Sequence, residues 1–97
     1  MIDLKPAVGS DVYIQFKKNV YLMATVQGRF TPIGTGTEQQ PGPPMIVDRM
    51  EGKIREQDGQ YILTYANPGD PQGQIDYLID PEQVAGVWIA RKISIIT

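Results

Sequence analysis

The residues able to do chemistry in this sequence are few, and their types narrow the choice before any fold is considered. The chain contains no histidine and no cysteine, which removes imidazole triads, thiol nucleophiles, zinc fingers and disulfide scaffolds. Carboxylate or hydroxyl chemistry is left, or binding. Asp76 and Asp80 are near enough in sequence to act as general acid and base or to hold Mg²⁺. No further acidic residue joins them in a loop motif, so no catalytic residue, metal site or cofactor is expected. Arg29-Phe30 sets a cation beside an aromatic ring, the combination that grips a phosphate while stacking a base. Its plainer reading is an aromatic residue at a strand end that seals the core.

Lys17-Lys18-Asn19 reads as a solvated turn, and repeated around an oligomer it would become a basic rim. Arg49, Lys53 and Arg55 share one strand parity, but Glu51 stands among them and Asp48 and Glu56 lie across, the pattern of a mixed solvent face rather than a phosphate track. Some of the tyrosines at 13, 21, 61, 65 and 77 fall on the parity opposite the expected core, where they could meet a neighbouring subunit or a base.

These residues must be positioned by a small fold. Ninety-seven residues with 9 Lys plus Arg against 11 Asp plus Glu give one domain of net charge −2. That balance argues against a protein that coats DNA through a basic excess. Ten glycines and eight prolines leave no long breaker-free window with helical apolar spacing, so the chain reads as all-β. Val12, Ile14 and Phe16 alternate along a first strand, and Val20, Leu22, Ala24 and Val26 along a second that ends at Gly28, with Lys17-Lys18-Asn19 expected as the hairpin turn between them. Residues Thr31–Pro44 are expected as a long loop without regular structure. Met45 to Ile54 changes inward parity, and Gly52 is the expected bulge. Asp58-Gly59 predicts a tight hairpin turn. Beyond the breakers of Asn67–Gly73 come Ile75–Ile79, a turn at Asp80–Gln83, and Val84–Ile89, which is apolar on both faces. Such a strand belongs at the centre of a closed barrel, with Val87 and Trp88 largely buried, or beneath a partner chain. The apolar tail Ile93-Ser94-Ile95-Ile96-Thr97 also invites edge pairing.

Two stretches resemble the Sm/LSm family. Leu4, Gly9, Val12, Ile14, Phe16-Lys17-Lys18-Asn19 and Ala24-Thr25-Val26-Gln27-Gly28 are similar to the leader, first strand and turn of an Sm domain, and Ile79 through Ile89 is similar to its closing segment. Arg29-Phe30-Thr31-Pro32 stands where the family carries its uracil-sandwiching motif, and Asp80-Pro81 replaces an Arg-Gly, so the usual uridine site is not implied. The mix is similar to divergent Sm-like proteins of apparent marine-phage origin.

The resemblance implies a small, strongly bent five- or six-stranded Sm-like (SH3-type) barrel. It further implies a homo-oligomeric ring of about five to seven copies, built by pairing strand edges. The expected function is non-catalytic binding of single-stranded nucleic acid, RNA in the first instance or else DNA, through Arg29, Phe30, Lys17, Lys18 and Asn19. Val84, Val87, Trp88 and Ile89 are the expected subunit contact. The alternative is a structural or assembly component of a phage particle built on the same barrel. Met1 to Pro6 carries neither a basic nor an apolar leader segment, and the longest apolar run, Val84–Ala90, falls well short of the roughly 20 residues of a membrane helix. A cytoplasmic location is expected, in the host bacterium if the chain is phage-encoded.

Overall fold

The computed structural model describes residues 2–26, 28–35, 38–65 and 74–89. The expected breaker cluster Asn67–Gly73 and the apolar tail Ile93–Thr97 lie outside the described residues. Six strands form: β1 (Asp11–Ala24), β2 (Phe30–Pro32), β3 (Met45–Gln57), β4 (Gln60–Tyr65), β5 (Ile75–Ile79) and β6 (Val84–Ile89), with short 3-10 turns at Lys5–Ala7 and Pro81–Gln83. The sheet order is β2-β5-β4-β3-β1-β6, and β2 also pairs with β1. Pairing therefore closes on itself through β1, β3, β4, β5 and β2, with β6 on the N-terminal half of β1. Among the described residues the one parallel pairing joins β2 to β5 at Phe30 and Tyr77. The fold is all-β, as the sequence indicates.

The hairpin expected at Lys17-Lys18-Asn19 does not exist. A single 14-residue strand runs through it, and the reversal comes later, at Thr25–Arg29. There the Thr25 N–H donates to the Arg29 carbonyl at 2.6 Å and the Thr25 Oγ1 accepts from the Arg29 N–H at 3.1 Å. The favoured two-residue hairpin turns need positive φ at one or both central residues, and Lys-Lys-Asn offers no glycine to supply it. The segment forms a large bulge instead. Between the pairs Gln15–Arg49 and Val20–Val47, the four residues Phe16 to Asn19 face Asp48 alone, and the Gln15 side-chain amide donates to the Asp48 carbonyl at 3.0 Å. Val12, Ile14, Phe16, Val20 and Leu22 all stay buried, so the inward parity survives the bulge.

The loop expected over Thr31–Pro44 begins later. Thr31 and Pro32 belong to β2, held between β1 and β5. The turn beyond them is tied back: the Gln39 amide donates to Thr31 Oγ1 at 2.9 Å and to the Pro32 carbonyl at 3.0 Å, and Gln39 bridges Thr25. A short strand flanked by proline and glycine gives no alternation to detect.

Asp58-Gly59 forms the expected turn, with φ of +54° and +77° and Gln57 opposite Gln60. Gly52 plays a different part from the expected bulge. Parity along β3 changes between Val47 and Met50, opposite the β1 bulge, while Gly52 lies where β3 takes up β4. A Cβ there would stand 2.4 Å from the Thr64 carbonyl oxygen, so glycine permits a close backbone approach.

Among the described residues β6 is not central but the last strand of the sheet. Its register shifts between Gln15–Gly86 and Phe16–Val84, one step on β1 against two on β6, which leaves Ala85 as a bulge. Val84 is then 1% exposed and Val87 packs against the core, while Trp88 is 56% and Ile89 49% exposed. The burial expected for Trp88 from the apolarity of both faces fails because β6 ends the sheet and packs on the core with one face only, while Trp88, opposite Tyr13, lies on the other.

Leu4, Ile14, Leu22, Ile54, Leu63 and Val84 form the centre of the core, each worth about 1.5–3 kcal/mol by burial. Urea unfolding should show Gly52→Ala destabilised by roughly 2–4 kcal/mol through overpacking against backbone. Gly59→Ala, with open space around it, should lose only the about 1–2 kcal/mol of a left-handed alanine. Equal losses would contradict the close approach at Gly52.

Candidate functional site

Cross-strand register on the outer face brings aromatic and cationic side chains together. Tyr13 stands opposite Trp88 on one side and Glu51 on the other, and Gln15 opposite Gly86 and Arg49 in the next row. The Tyr13 and Trp88 rings meet edge to face at 5.7 Å and 62°, a favoured aromatic geometry. The Trp88 ring lies over Gly86, where a Cβ would come within 2.8 Å of the indole Cη2. The exposed indole thereby packs against the backbone of its own strand at Gly86. Arg49 sits diagonally beside Tyr13; the hydrogen bonds it donates, first to Tyr13 and then to Asp48, raise its pKa further, and its Nε lies 3.3 Å from Asp48 Oδ1. The Lys17-Lys18-Asn19 bulge follows one row on, all three residues exposed.

A groove of about 840 Å³ adjoins this face, with Tyr13, Glu51, Lys53, Arg55, Tyr65 and Asp76 on its walls. Through Tyr13, Glu51 and Tyr65 it continues into a recess of about 340 Å³ that reaches Val47, Met50 and Tyr77. Burial, with the charge of nearby Tyr65, pushes the Tyr77 phenol up, so it stays neutral. On the groove wall, Arg55 Nη2 contacts Asp76 Oδ2 at 3.1 Å, Thr64 Oγ1 donates to Asp76 Oδ1 at 2.8 Å, and Arg55 Nη1 donates to Thr64 Oγ1 at 2.5 Å. This network ties β3, β4 and β5 together. Burial alone would raise the Asp76 carboxyl, but hydrogen bonds from Arg55 and Thr64 and the charges of Arg55 and Arg29 outweigh it and hold the group below its ordinary value.

The residues singled out in the sequence separate into distinct places. Lys17, Lys18 and Asn19 adjoin the Tyr13–Trp88 face. Arg29 and Phe30 lie at the start of β2, with Phe30 opposite Ala24, six residues along β1 from Lys18. Phe30 is half-buried and stacks on Tyr77 at 5.7 Å and 28°, which occupies one ring face and matches the plainer, core-sealing reading. Val84 is buried in its own core, and Trp88 and Ile89 are exposed. Asp76 and Asp80 do not act together: Asp76 serves Arg55 and Thr64, while Asp80 accepts the Glu82 N–H at 3.0 Å and caps the turn Pro81–Gln83. Among the described residues no group of three acidic side chains could hold a metal ion, and no helix is long and apolar enough to cross a membrane. The Tyr13–Trp88–Arg49 grouping is not visible in the sequence because it is assembled across three strands; Gly86 two residues before Trp88 is its one local sign.

No protein-family model matches the chain, and neither a curated protein nor a solved structure matches it.

Because Asp76 has a lower pKa folded than unfolded, its contribution is present above the unfolded value of about 3.9 and is lost as pH falls through the folded one. Both Asp76 and Arg55 are partly exposed, so Asp76→Asn should cost about 1 kcal/mol at neutral pH. The unfolding free energies of variant and wild type should converge in acid. A gap that stays constant in acid would contradict this role.

Proposed function

We propose that the protein binds single-stranded nucleic acid, without catalysis, on the face formed by Tyr13, Trp88, Arg49 and the Lys17-Lys18-Asn19 bulge. The observation that carries this reading is the Trp88 ring, exposed yet fixed in place by Gly86 beneath it and Tyr13 beside it. A stacking surface that is already ordered loses little entropy when a base lies on it. Arg49 and the two lysines stand where a backbone running past that base would carry its phosphates. The net charge of −2 suits a local contact rather than a coat, and such a contact is salt-sensitive. RNA is the first candidate ligand on the strength of the Sm resemblance.

Anisotropy titrations with labelled single-stranded oligonucleotides at two salt concentrations test the reading. Trp88→Ala and Tyr13→Ala should each weaken binding by about 1–3 kcal/mol, roughly 5- to 150-fold. Lys17→Ala with Lys18→Ala should flatten the salt dependence by about one counter-ion per lost contact. Gly86→Ala should displace the indole and lower affinity while leaving the unfolding curve nearly unchanged. Loss of binding in Arg29→Ala and Phe30→Ala, with Trp88→Ala unaffected, would move the site to β2. A wild-type protein that binds no oligonucleotide at low salt would overturn the reading and favour a structural building block.

A further inference from the structure

A second aromatic residue stands on the outward face of β1, beyond the Phe16–Asn19 bulge. Tyr21 pairs with Ile46 of β3, and its carbonyl accepts the Ile33 N–H at 3.0 Å, so Ile33, Tyr21 and Ile46 form one row. The neighbours of Tyr21 on β1, Val20 and Leu22, are buried, whereas Tyr21 is 47%, Ile33 54% and Ile46 55% exposed. Single apolar residues scattered over a surface mean nothing, but large ones exposed side by side mark a contact surface.

The row and the Tyr13–Trp88 pair flank the same basic segment. N-terminal to the bulge β1 carries Tyr13 outward beside Trp88, and C-terminal to it Tyr21 outward between the two isoleucines. Lys17, Lys18 and Asn19, all exposed, lie between them. Asp48, which faces the bulge, has its charge offset by Arg49 at 3.3 Å, so the lysines set the local sign. A single strand of nucleic acid carries flat apolar bases along one side and anionic phosphates along the other, and binds where rings alternate with cations.

We propose that the Ile33–Tyr21–Ile46 row is a second base-binding subsite, reached by the same single strand after it leaves Trp88 and crosses Lys17 and Lys18. The inference rests on the binding face proposed above and extends it from a point to a path. A base lies on the Tyr21 ring with the isoleucine side chains against its edges, which are contacts that any base can make. A protein partner would find apolar side chains here too, but the lysines beside them favour an anionic occupant. On β3 the partners of the two tyrosines, Glu51 and Ile46, are five positions apart, which is no more than about 17 Å of strand. At the roughly 3.4 Å spacing of stacked bases this is a reach of about five nucleotides at most.

A series of single-stranded oligonucleotides, from a dinucleotide to about ten nucleotides, tests the path by titration at low salt. Wild-type affinity should climb with length until the strand reaches both rings. Tyr21→Ala should match the wild type at the shortest lengths that bind and fall behind at the longer ones by roughly 5- to 150-fold, the loss of one stacked base. Tyr21→Phe should restore the climb. Trp88→Ala should lose affinity at every length. Should Trp88→Ala lose affinity while Tyr21→Ala follows the wild type throughout, the second subsite is overturned and the Trp88 face stands. An equal loss for Tyr21→Ala at all lengths would also overturn it, since Tyr21 would then act through the fold or the first subsite. A wild type that binds no strand of any length would overturn both readings.

Discussion

One strand has three neighbours, and the rest of the molecule follows from how it manages to meet them all. β1 must pair with β3 along one edge and with both β6 and β2 along the other. A straight strand cannot turn from one sheet direction to the next. The bulge at Phe16–Asn19 supplies the bend, and because Phe16 and Val20 keep the same inward parity, the core is continuous across it. The cost is borne by polar residues: Lys17, Lys18 and Asn19 project where no partner strand opposes them.

The outer face inherits its composition from that arrangement. N-terminal to the bend, β1 carries Tyr13 and Gln15 outward between the residues of β3 and β6, and the bulge at Ala85 turns Gly86 and Trp88 to the same side. Two irregularities thus bring a tryptophan, a tyrosine, an arginine and two lysines to one surface in a chain whose overall charge is negative. On the far side of Gly52, β3 exchanges neighbours and the Arg55–Thr64–Asp76 network fixes β4 and β5 against it, which forms the groove adjoining the aromatic pair.

The regular parts of this fold are legible in the sequence. Val12, Ile14 and Phe16 state their face by alternation, Asp58-Gly59 states its turn by backbone chemistry, and Asp80-Pro81 states a capped reversal. Features set by tertiary contact are not. The lack of glycine in Phe16-Lys17-Lys18-Asn19 counts against a tight hairpin, but that the segment bulges within one strand rests on which strands lie opposite. Ala85 is a bulge residue whose own type does not mark it, so β6 reads as apolar on both faces when its packing is one-sided. Phe30 and Arg29 read as a ligand pair because adjacency in sequence is visible; Tyr13, Trp88 and Arg49 are adjacent only in space.

The chain contains a single tryptophan, and it is the residue on which the proposed binding face centres, so its intrinsic fluorescence reports directly on that face. Titration with a single-stranded oligonucleotide at low salt should quench Trp88 emission saturably, with the midpoint moving to higher concentration as salt is raised. Emission that does not change while the oligonucleotide is seen to bind by its own label, or no binding by either signal, would contradict a stacking site at Trp88.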